Sequence, residues 1–131
     1  MSLDSFATSY HSLQTACDAL REQLISRDSF EHKKLAQQGQ QLLQLWQQNF
    51  ATVQGDTLSG TAFHQWRSLH TEIHRELRLL NMDLMFLGNS RSAQTQTAKQ
   101  KTAGDRLEKI LQYCKQIQEI ICSDDPHIPE A

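Results

Sequence analysis

Apolar residues recur along most of the chain at alternating steps of three and four. Leu3, Phe6, Tyr10, Leu13, Cys17, Leu20 and Leu24 form the first stripe. That period places them on one face of a long helix. The polar run "SRDS" breaks it, and Asp28 followed by Glu31 has the form of a capping box opening a second helix. The second stripe is Leu35, Gly39, Leu42, Trp46, Phe50 and Val53. A glycine there weakens the helix but lets a neighbouring helix approach closely. The glutamine-rich run "AQQGQQLLQLWQQNF" reads as an uncharged, solvated helix face, because the apolar period continues through it.

"QGDTLSGT", with two glycines, ends that segment. A third helix is expected from Thr61 or Ala62 to about Gly88. Its stripe is Phe63, Trp66, His70, Ile73, Leu77, Leu80, Leu84 and Leu87. From Leu77 to Leu87 it is apolar nearly all round, as in a helix covered on several sides. Residues 88–105, "GNSRSAQTQTAKQKTAGD", contain no large apolar side chain. They read equally as a solvated helical extension or as a loop. Asp105 with Glu108 has the form of another capping box, before a fourth helix carrying Leu107, Leu111, Cys114, Ile117 and Ile121, with Ile110 and Ile120 beside them. The tail from Ser123, "SDDPHIPEA", is expected to be non-helical.

Four amphipathic segments with short joins predict an all-α fold, an antiparallel four-helix bundle with long amphipathic helices. Its expected core joins Trp66, Ile73, Leu77, Leu80 and Leu84 to Trp46, Leu42, Leu13 and Leu111. Residues 1–122 form one helical domain, followed by a tail over 123–131. The length of 131 residues suits one domain with a real core. The only prolines are Pro126 and Pro129, and no run has the alternation of a strand.

Charge narrows the function classes. The formal net charge is −2 and charged residues make up 21%. That is neither a strongly basic nucleic-acid binder nor an acidic tail protein. No run approaches eighteen apolar residues, so no membrane insertion is expected. "MSLDSFATSY" lacks the basic start and apolar run of a signal peptide, and a cytoplasmic location follows as the default. The three cysteines, Cys17, Cys114 and Cys122, are an odd number without close spacing, and are expected to be reduced thiols.

The densest chemistry is "HQWRSLHTEIHRELRLL", His64 to Leu80. His70 and His74 share a helix face at a zinc-like spacing, but Glu72 sits two residues after His70, not directly after it as in a zincin. No third ligand is evident, so neither a metal nor another cofactor is expected. There is no glycine-rich phosphate loop or nucleophile elbow, and the chain is expected not to be an enzyme. Arg67, Arg75 and Arg78 are matched in number by Glu72, Glu76 and Asp83, which argues against a nucleic-acid surface. With Trp66, Ile73 and Leu80 facing the core, the opposite side carries a candidate partner-binding face. Its residues are His64, Arg67, Thr71, Arg75 and Arg78, running into Leu79, Met82 and Phe86, with Met85 beside them. Two possibilities stand for the apolar part: another helix of the chain covers it, or it meets a partner, a second copy in a homodimer or a different protein. The alternative function is a helical ligand- or metal-sensing module using His64, His70 and His74.

Residues 60–87, "GTAFHQWRSLHTEIHRELRLLNMDLMFL", resemble the signature region of the cyanobacterial heterocyst frequency control (PatD) family. Elsewhere only chain length and helix layout are consistent with it. The resemblance implies a small cytoplasmic regulator that limits how many cells become heterocysts, associated with cell division through the tubulin-like protein FtsZ. It supplies no catalytic residue to carry over.

Overall fold

The stripes close on one another in the computed structural model, which describes residues 3–25, 32–50, 58, 60–89 and 92–124. The elements are α1 (Leu3–Ile25), α2 (His32–Phe50), α3 (Gly60–Asn89) and α4 (Ala93–Asp124). Each helix packs on its neighbours in sequence, and α1 closes the ring against α4. Tyr10 near the start of α1 meets Phe50 at the end of α2. Gly39 of α2 lies against Leu84 near the end of α3. Arg106 of α4 reaches back to Glu76 and Asp83 of α3. Gln118 Nε2, late in α4, donates to Gln14 Oε1 in α1 at 2.8 Å. Every adjacent pair is therefore antiparallel, and the fold is an all-α, antiparallel four-helix bundle. The α3–α4 pairing is the most extensive and α1–α2 the least.

One core runs the length of the bundle. Leu13, Cys17, Leu20 and Leu24 of α1 face Leu35, Leu42 and Trp46 of α2, with Ile73, Leu77, Leu80 and Leu84 of α3 and Leu107, Ile110, Cys114 and Ile117 of α4. Burying an aliphatic side chain this fully contributes about 1.5–3 kcal/mol, which offsets the ordering of the chain. Leu111, expected in this core, is only half-buried. The buried steps on α4 run Ala103, Leu107, Ile110, Cys114, Ile117, Ile121, so Ile110 takes the central place. Phe63 and His70 are likewise half-buried.

Gly39 meets its expectation. A Cβ there would stand 2.8 Å from Leu84 Cδ1 and 3.3 Å from Asn81 Oδ1, so α2 and α3 approach where no side chain fits between them.

Residues 93–104 of the polar segment are helical. The expected start of α4 at Asp105 is incorrect, because α4 begins at Ala93. Ser92 caps it: its Oγ accepts the Thr95 N–H at 3.4 Å, and its carbonyl accepts the Gln96 N–H at 3.0 Å. Neighbouring helices hold the extension. Gln100 Nε2 donates to the Leu24 carbonyl in the last turn of α1, an oxygen the helix itself leaves unpaired. Lys99 Nζ lies 3.7 Å from Asp83 Oδ1. At the other end α4 continues to Asp124, so Ser123 and Asp124, expected in the tail, are helical. The proposed capping box at Asp28 and Glu31, Val53, and the side chains of Leu3 and Phe6 lie outside the described residues, as do residues 125–131. No helix among the described residues is long and apolar enough to cross a membrane.

Candidate partner-binding face

Helix α3 sorts its side chains by angle. Trp66, Ile73, Leu77, Leu80, Leu84 and Leu87 point into the core. One step round, toward α4, Glu76 and Asp83 are also buried, at 4% and 7% exposure. Buried carboxylates need partners, and Arg106 supplies them. Its Nε donates to Asp83 Oδ2 at 2.6 Å and its Nη1 to Glu76 Oε2 at 3.1 Å. These charge-assisted bonds raise the Arg106 pKa against the opposing effect of its burial, and Lys99 adds a second cation at Asp83.

This clamp corrects the charge count made from sequence alone. Glu76 and Asp83 are withdrawn from the surface, so they do not balance the outer arginines. Of the acids set against those arginines, Glu72 alone remains near them, with Oε2 3.4 Å from Arg75 Nη1 in an exposed pair. Among the described residues, Arg67 and Arg78 form no ion pair.

The outward side carries the residues singled out from the helical period. His64, Arg67, Thr71, Arg75 and Arg78 are exposed. Thr71 Oγ1 is turned back onto the Arg67 carbonyl at 2.8 Å. Met82 and Phe86 are 52% and 56% exposed, while Leu79 is half-buried. Met85, first read as a flanking residue, is 47% exposed and belongs to the same patch. Lys99 Nζ sits 5.3 Å from the centroid of the Phe86 ring, a cation–π contact contributed by α4. A position three after Met82 was a sufficient signal for Met85. Lys99 and Arg106 had none, because α4 brings them from outside the quoted segment.

The histidines of the alternative reading are dispersed. His70 lies among Tyr10, Trp46, Phe50 and Trp66. The Trp66 indole N–H donates to Tyr10 Oη at 2.7 Å, and Tyr10 Oη shares a hydrogen bond with His70 Nδ1 at 2.7 Å. Burial, with His74 nearby, lowers the His70 pKa from 6.5 to about 4. His74 is exposed with its ring stacked beside Trp46, and His64 is exposed with its ring edge near Phe63. Among the described residues, no group of three or more His, Cys, Asp or Glu could hold a metal ion.

Cys17 and Cys114 are free and buried, and Cys122 is free and exposed. Burial pushes the Cys17 thiol up, and the Cys114 thiol up to about 12. Both are protonated packing groups rather than nucleophiles. No family model, curated protein or solved structure matches the chain.

Proposed function

We propose that this chain is a non-enzymatic regulator acting by protein contact, through the outer face of α3. The observation that carries the reading is a continuous surface. Met82, Met85 and Phe86 stand about half exposed, directly beyond an exposed run containing Arg67, Arg75 and Arg78. Methionine and an aromatic ring beside arginines is the composition of interface centres. The segment that resembles the heterocyst frequency control family, residues 60–87, is the helix that carries this face. That resemblance supports FtsZ as the partner and a cytoplasmic role in setting heterocyst frequency, with the chain modulating FtsZ assembly.

The test is binding of purified FtsZ to the immobilised chain, with assembly followed in parallel by light scattering. Wild type should bind and change the assembly curve. Arg75→Glu should slow association, because it reverses a charge that an acidic partner meets at long range. Phe86→Ala should speed dissociation by about tenfold or more if the ring is a buried anchor in the complex. His64→Ala and Arg75→Glu should leave the melting temperature nearly unchanged, since both sites are exposed. Full FtsZ affinity in Arg75→Glu and Phe86→Ala alike would show that this face is not the interface.

A further inference from the structure

The geometry points to one class of occupant for the outer face of α3: an amphipathic helix, acidic over most of its length and apolar at one end, lying along α3. This inference rests on the protein-contact reading above and adds the shape and charge of the partner. The exposed stripe from His64 to Phe86 advances by three, four, four, three, four and four residues. Its mean step of about 3.7 barely drifts on a straight helix. It therefore forms a ridge along the helix axis, about six turns or roughly 33 Å long. A second helix can follow such a ridge over its full length.

The charges select the chemistry of that helix. Glu76 and Asp83 are turned inward onto Arg106, so Arg67 and Arg78 stand exposed with no ion pair among the described residues. Carboxylates spaced at three and four residues would reach these guanidinium groups with forked hydrogen bonds. Met82, Met85 and Phe86 then meet the apolar end of the partner.

Two other occupants fit less well. A symmetric dimer needs a self-complementary face. A second copy would bring the same arginines, with the matching carboxylates buried. A lipid surface takes a helix with an apolar stripe along its whole length, whereas here the apolar residues occupy one end.

The experiment titrates a fluorescent helical peptide of about 24 residues against the full chain. Glutamate fills its facing positions for the first four turns and leucine for the last two. A peptide of the same composition in scrambled order is the control. The ordered peptide should bind more tightly than the control, and more weakly as salt is added. An Arg67→Glu, Arg78→Glu double variant should weaken binding about tenfold or more, and so should Phe86→Ala, with unchanged melting. Equal binding of ordered and scrambled peptides overturns the inference. So does a wild-type chain that dimerises in sedimentation equilibrium, or binds phosphatidylglycerol vesicles, with the same variants abolishing that behaviour. The two readings separate cleanly. FtsZ binding that depends on this face without peptide binding leaves the protein-contact reading and removes the acidic helix. Peptide binding without FtsZ binding removes only FtsZ.

Discussion

The two ends of the bundle bury polar groups in opposite ways. Where α1 and α3 begin, the polar groups are neutral: Trp66, Tyr10 and His70 pass hydrogen bonds along a short relay inside an aromatic cluster with Trp46 and Phe50. From the middle of α3 toward its end, they are charged: Glu76 and Asp83 are held by Arg106 and Lys99 of α4. A neutral relay costs little to bury once each member is bonded. An ionic clamp costs several kcal/mol per ion in desolvation and recovers it only while every partner stays in place. The aromatic end therefore tolerates the loss of one member better than the ionic end does.

The largest loss of stability is expected at Arg106. Arg106→Met leaves two buried carboxylates without their guanidinium, and should cost about 3–5 kcal/mol in urea unfolding at neutral pH. Replacing Glu76, Asp83 and Arg106 together by apolar residues of similar volume should recover most of that loss. If the single variant unfolds like wild type, the clamp contributes nothing and the contrast between the ends fails.

Tyr10→Phe is the matching change at the aromatic end. It removes the oxygen shared by Trp66 and His70 while keeping the ring, and should cost about 1–3 kcal/mol. Ranking the two variants in one denaturant series tests the comparison directly.

Acid acts on the aromatic end through His70. The folded chain keeps this ring neutral down to about pH 4, while the unfolded chain takes up a proton near 6.5. The stability that the neutral ring confers is therefore complete above pH 6.5, declines as the pH falls from 6.5 toward 4, and levels off below that. The amplitude is about 1–2 kcal/mol once solvent screening of the half-buried ring is allowed for. His70→Phe should flatten this part of the stability profile, and an unchanged slope would show that another group titrates.

The smallest effect is at Gly39. Alanine gains about 1 kcal/mol of helix propensity, but its methyl group would stand 2.8 Å from Leu84 Cδ1. Forcing a side chain off its place in a packed core costs about 1–3 kcal/mol. Gly39→Ala should therefore destabilise by about 1 kcal/mol. In a Leu84→Ala background the same change should become neutral or favourable, and that reversal of sign is the measurement to make.

Legibility in the sequence followed how local each cause was. The core face of α3 was readable because its period persists through Trp66, Ile73, Leu80 and Leu87. Gly39 was readable because a glycine on an apolar stripe has few other uses. On α4, Leu111 and Ile110 are adjacent and both apolar. Choosing between them required Ala103, which places the stripe one position earlier. The stretch 92–102 was not readable as helix, since what holds it lies far away in the chain, at Asp83 and the Leu24 carbonyl. The outer face was legible in position but not in charge: a count of acids and bases along α3 contains nothing about an arginine 30 residues beyond Glu76.

The uneven pairing of the helices has a consequence for motion. The seam between α1 and α2 is the least extensive of the four, and an open groove of about 370 Å³ runs beside it, lined by Ala16, Ala19, Leu42 and Leu45. Partial opening should begin there, so amides of α2 should exchange with solvent sooner than those of α3. Helix α3 belongs to the most extensive pairing and is pinned by Arg106 along two of its turns. Its backbone is therefore already ordered before any partner arrives. Little conformational entropy remains for an encounter to remove beyond that of the exposed arginine and methionine side chains.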